Sequence, residues 1–177
     1  MDSTEYLAFV PLLLYGIALA DLLGQWRRFF DKDYLYWPYF LTTVMFTELA
    51  IRNVFLYLEV VRKLDGISYF HYWLELAQPI VFLMMVSALT PDSAESNTKD
   101  YFEKRIRIVF ALFAVFISSH FLPAYGVTVE MDYARITAVA ICVSISVTRR
   151  IWLVYVLGVL WFLGLLPLKE WQAWILS

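Results

Sequence analysis

Six runs of mostly apolar residues recur along the chain, parted by short polar breaks. They fall at about 6–23, 34–61, 67–90, 106–122, 128–148 and 151–168. A helix rising about 1.5 Å per residue needs about 20 apolar residues to cross roughly 30 Å of hydrocarbon. The runs reach or approach that length. The pattern predicts an all-α polytopic membrane protein, a bundle of six transmembrane helices forming one domain over residues 1–177. The second run is long and predicts a tilted helix or an interfacial start, with Tyr34, Tyr36, Trp37 and Tyr39 as an aromatic belt. Pro38 suits its first turn. Only Arg149 and Arg150 part the fifth and sixth runs, which predicts a helical hairpin rather than one long bent helix. The longest connection, a loop over 91–105, divides the helices three against three. That count leaves open a 3+3 inverted arrangement, as in many transporters, although the halves show no sequence similarity.

Composition fits the pattern. Hydrophobic residues make up 62% of the 177 and charged residues 17%, with a mean hydropathy of +0.66. Ordinary globular domains run at about 45–50% and about 25%. Six Gly, six Pro and one Cys exclude a collagen-like rod and a disulfide-stapled secreted domain. Cys142 reads as a small buried hydrophobe. A net charge of −2 gives no electrostatic case for nucleic acid.

The basic residues set an orientation through the positive-inside rule. With the N-terminus outside, the inner loops hold Arg27, Arg28, Lys32, Lys99, Lys104, Arg105, Arg107, Arg149 and Arg150. The outer side holds only Arg62, Lys63, Arg135 and Lys169. Both termini are then outside. Ala18-Leu19-Ala20 resembles a signal-peptide cleavage site, but Asp2 and Glu5 stand where such peptides carry positive charge, so the segment is expected to be retained.

Ionisable side chains at membrane depth are costly, and each marks a candidate site. Glu48 and Arg52 lie four apart on one face of the second helix, in the favourable order. His71, Glu75 and Gln78 form a stripe on the third helix, where Pro79 frees a carbonyl one turn earlier. His120 ends the fourth helix, and Asp132 and Arg135 begin the fifth. Counting rise along each helix puts Arg52, Glu75 and Arg135 roughly 6 Å outward of the midplane, with His71, His120 and Asp132 further out. These eight residues predict an outward-opening polar vestibule lined by helices two to five. The structural alternative is a set of pairs, Glu48–Arg52, Glu75–Arg52 and Asp132–Arg135, that fix helix packing. The sixth helix, almost wholly apolar, is expected to face lipid or a partner subunit. His71 and Glu75, with His120, have only a weak metal-ligand pattern, and haem through His71 and His120 is disfavoured by their height. No cofactor is expected. Neither a Gly-x-Ser-x-Gly nor a His-Glu-x-x-His motif occurs.

Several segments carry a family likeness: Tyr36-Trp37-Pro38, Gln78-Pro79 through Leu89-Thr90-Pro91-Asp92, and Tyr101-Phe102 with Lys104, Arg105 and Arg107. Over about residues 10–165 the chain resembles a family of small bacterial six-helix integral membrane proteins of no known activity. The resemblance implies six helices and a bacterial inner membrane, and no catalytic residue. Taken together, the expectation is a small ion or proton channel or transporter, assembled as a homo-oligomer in the lipid bilayer. One alternative is a membrane sensor or effector that meets a cytoplasmic protein through the Pro91–Arg105 loop. Another is a membrane enzyme acting on a lipid.

Overall fold

The structure is a computed structural model that describes residues 3–31, 34–61, 69–91, 97–121 and 129–164, some of them, including His71 and Asp132, by backbone alone. Among the described residues there are six α-helices and no strand. They are α1 (Ser3–Trp26), α2 (Trp37–Val61), α3 (Tyr69–Leu89), α4 (Thr98–Ser119), α5 (Val129–Thr148) and α6 (Trp152–Gly164), with a 3-10 turn at Arg27–Phe30 after α1. The all-helical class and the six helices agree with the apolar pattern.

Two features differ from it. First, α4 begins inside the expected 91–105 loop. Asn97 caps it, its Oδ1 accepting from the backbone N–H of Lys99 at 3.0 Å and of Asp100 at 3.4 Å. Lys99, Lys104 and Arg105 are therefore helical, not loop, residues. Second, only two described helical stretches, Phe9–Phe30 and Tyr72–Leu89, are long and apolar enough by themselves to cross a membrane. Charges dilute α2 through Glu48 and Arg52, and α4 through its run from Lys99 to Arg107. The apolar parts of α5 and α6, Tyr133–Thr148 and Trp152–Gly164, are shorter.

The helices form a closed ring. α1 packs on α2 and α3, α3 on α4, α4 on α5, α5 on α6, and α6 returns to α2, which also touches α4 across the middle. In the first half the leading helix, α1, packs on both companions; in the second half the middle helix, α5, does so. The two halves thus pack differently, and the 3+3 inverted arrangement is not seen. The hairpin is: Arg149 takes φ 54° and its N–H reaches the Ile145 carbonyl at 2.8 Å, an αL cap that turns the chain before α6.

The interior is aromatic. Phe46 and Phe113 meet at 4.9 Å between ring centres, Tyr15 and Phe82 at 5.3 Å, and Phe82 and Phe116 at 5.3 Å. Thr42, Thr43, Thr47 and Asn53 run along the buried side of α2. Each bonds a carbonyl four residues earlier on its own helix, so this polar stripe is satisfied without water.

Tyr36, Thr90, Tyr101 and Phe102, from the segments that carried the family resemblance, lie at one end of the bundle. Tyr36 donates to Glu103 at 3.2 Å and its ring meets Phe102 at 5.9 Å. Burial and the Glu103 charge push its phenol up to about 12, so it remains a donor at neutral pH. The Tyr101 hydroxyl donates to the Thr90 carbonyl at 3.0 Å, closing the end of α3. Nearby, the Arg107 Nε–H donates to the Ser146 carbonyl at 3.2 Å and the Ser146 hydroxyl donates to the Arg107 carbonyl at 2.9 Å. This reciprocal clasp joins α4 to α5.

Candidate functional site

At the opposite end, α2, α4, α5 and α6 part around a cavity of about 500 Å³. α2 supplies Leu49 and, one turn on, Arg52 and Asn53. α4 brings Phe116, Ile117 and His120 at its last turn, and α5 brings Tyr133, Ala134, Arg135, Thr137 and Ala138. Leu157, Leu160, Trp161 and Gly164 complete the wall from α6.

Arg52 is fixed by the i, i+4 geometry of α2. Its Nε–H donates to Glu48 Oε1 at 2.9 Å, and Nη2 donates to both carboxylate oxygens at 2.7 Å. The two side chains form an i, i+4 ion pair, with 2.7 Å between Nη2 and Oε2. The indole Nε1–H of Trp161 donates to Glu48 Oε2 at 3.0 Å. The Arg52 guanidinium lies over the same indole, 5.2 Å from its centre, a cation–π contact. The carboxylate, the guanidinium and the indole therefore form one closed unit across α2 and α6. The Nη1 edge of Arg52 makes no hydrogen bond to a described residue, and Arg52 lines the cavity.

His120 occupies the end of α4. Its Nδ1 lies 3.0 Å from the Phe116 carbonyl and its Nε2 lies 2.7 Å from Gln78 Nε2. Both contacts are satisfied by a neutral ring with the proton on Nδ1, the amide of Gln78 donating to Nε2. Gln78 is buried and ties α3 to the rim of the cavity without lining it.

The expected vestibule is thus re-drawn. Its walls are α2, α4, α5 and α6 rather than helices two to five. Arg52, His120 and Arg135 meet there, with Glu48 behind Arg52. Glu75 does not line the cavity. It is buried on the other side of the ring, within electrostatic range of Tyr15 on α1 and Tyr57 on α2. The reason is helix order: α1 sits between α2 and α3, so equal height did not bring Glu75 to Arg52. No Glu75–Arg52 pair forms. The side chains of His71 and Asp132, and with them the Asp132–Arg135 pair, lie outside the described residues.

One side of α6 lines the cavity, a part its apolar sequence did not suggest, while Trp152, Val159 and Leu163 stay exposed on another. The residue that sequence reasoning missed is Trp161. Leu157, Leu160, Trp161 and Gly164 recur at helical spacing, and an indole N–H that is part-buried needs an acceptor. Gly158 lets α6 approach: a Cβ there would stand 2.5 Å from Leu41 Cδ2 on α2.

Among the described residues no three His, Cys, Asp or Glu side chains gather into a metal site. Scanned against protein-family models, curated proteins and solved structures, the chain matches none of them.

Proposed function

We propose that the chain is a multi-pass membrane protein of the bacterial inner membrane, N-terminus and C-terminus outside, that takes a small solute into the cavity between α2, α4, α5 and α6 as one step of transport. Large apolar side chains are exposed on every helix, Phe9, Phe55, Met84, Val115, Val147 and Leu163 among them, and surround the bundle as a lipid-facing surface would. The basic residues Arg27, Arg28, Lys104, Arg105, Arg149 and Arg150 belong to the end of the bundle opposite the cavity. By the positive-inside rule that end is cytoplasmic and the cavity faces outward.

The observation that carries the reading is the closed floor. Below the cavity, Met45, Phe46, Phe113, Cys142, Ile145 and Val154 are fully buried. A cavity with polar groups at its mouth and a dry aromatic floor is a binding compartment with one side shut, as alternating access requires, rather than an open pore. It lies within one chain, so the reading does not require a homo-oligomer.

Proteoliposome assays with a trapped pH dye and with chloride test it. The expected result is flux that falls at least tenfold in Arg52→Ala and in Ala134→Phe, which fills the cavity. Flux unchanged in both variants sinks the transport reading. The closed floor also favours the sensor reading, which predicts ligand binding with no flux at all.

A further inference from the structure

The lining of the cavity is mixed. Arg52, Asn53, His120, Tyr133, Arg135 and Thr137 bring polar groups, and Leu49, Ile117, Leu157 and Leu160 bring aliphatic wall. Glu48 engages the Nε and Nη2 edge of Arg52, no described residue bonds the Nη1 edge, and Arg52 lines the cavity. The indole of Trp161 covers one face of the guanidinium. A planar cation held by a carboxylate on one edge and a ring on one face has its remaining donors fixed in direction. No described carboxylate lines the cavity. A small hydrated ion would leave the apolar walls in contact with water. A neutral apolar molecule would leave the Arg52 donors unmet, at a cost.

We propose that the cavity binds an amphiphilic anion, one acidic head on an aliphatic body, with the head on the Arg52 Nη1 edge and the body along Leu49, Ile117, Leu157 and Leu160. The proposal rests on the cavity being a ligand site, as argued above, and adds the class of ligand. The volume of about 500 Å³ lies within the range of small-molecule sites, about 300–1,000 Å³. Glu48 has a defined part. It orients Arg52 and offsets its charge, so it holds anion affinity below what an unpaired arginine would give. It is a positioning residue, and its removal strengthens binding of the head while leaving a neutral body unaffected.

Calorimetric titration of the full chain in phosphatidylcholine nanodiscs, with empty nanodiscs as the blank, tests this with octanoate, octanol and acetate. Octanoate is expected to bind at least tenfold more tightly than either of the others. Arg52→Gln should abolish that advantage, Ala134→Phe should weaken octanoate and octanol together, and Glu48→Gln should tighten octanoate alone. Ala134→Phe leaves the ion pair intact, so it reports on the cavity if Arg52→Gln fails to fold. Equal affinity for octanoate and octanol, both lost in Ala134→Phe, overturns the anionic head and leaves the ligand site standing. Failure of every probe to bind overturns this proposal, and flux unchanged in Ala134→Phe then removes the site itself. Adding phosphatidylglycerol to the nanodiscs separates two sources of the same chemistry. Competition with octanoate identifies a membrane lipid as the occupant, and its absence identifies a free organic acid.

Discussion

Two residues hold conformations or contacts that single substitutions can test. Arg149 adopts φ 54° and is exposed, a backbone region that costs a non-glycine residue roughly 1–2 kcal/mol. Arg149→Gly is expected to raise stability by about 1 kcal/mol, read from thermal unfolding in detergent, with part of the gain offset by the freer unfolded chain. Trp161 is the reverse case. Its Nε1–H serves a carboxylate that also holds Arg52. Trp161→Phe keeps most of the ring and removes the donor, and a hydrogen bond to a charged group contributes about 1.5–3 kcal/mol. The expected loss is of that order, seen as a lower unfolding midpoint. An unchanged midpoint would show that the indole contributes packing alone. Little of this could be read from the sequence. The pair Glu48–Arg52 was legible because both partners lie on one helix, where spacing fixes direction. The Trp161 bond was not, because it joins residues 113 positions apart and depends on how α6 is turned toward α2.

At the scale of elements, legibility followed what each helix carries. Apolar runs marked α1, α3 and α5 with little error. The start of α4 was hidden because hydropathy gives no weight to Lys99, Asp100, Glu103 and Lys104, although Asn97 is a capping residue in plain view. The facing of α6 was hidden for the opposite cause: a helix apolar all round presents no polar stripe to orient it. Height along a helix was readable for Glu75, and its bearing around the ring was not, since nothing in the chain announces that α1 separates α2 from α3. The close approach of α6 to α2 at Gly158 yields a prediction at this scale. Gly158→Ile drives a branched side chain into Leu41 and should cost about 1–3 kcal/mol as overpacking, with loss of the Trp161–Glu48 contact. Quenching of Trp161 fluorescence by iodide checks the second part: it should increase in Gly158→Ile within a background lacking the other tryptophans. Gly158→Ala should be much milder, because the nearest atom is the end of a flexible leucine.

For the molecule as a whole, the ring order separates two polar systems that the chain presents side by side. One, around Glu75, is enclosed by α1, α2 and α3; the other, around Arg52, opens between α2, α4, α5 and α6. The part-buried Gln78–His120 contact links α3 to the rim of the second. Gln78→Leu should therefore loosen His120 and alter binding at the cavity, while Glu75→Gln should change stability with little effect on affinity; the octanoate titration distinguishes them. In the proposed orientation the closed floor also has an electrical meaning. Water entering the outer cavity conducts and carries little voltage, so the potential across the bilayer falls over the dry layer of Phe46 and Phe113. A charge that crosses the full field exchanges about 2.3 kcal/mol per 100 mV. An anion resting on Arg52 lies above that layer and exchanges almost none, so its affinity should be nearly independent of membrane voltage. The work of the field is then confined to whatever movement carries charge past the two phenylalanines.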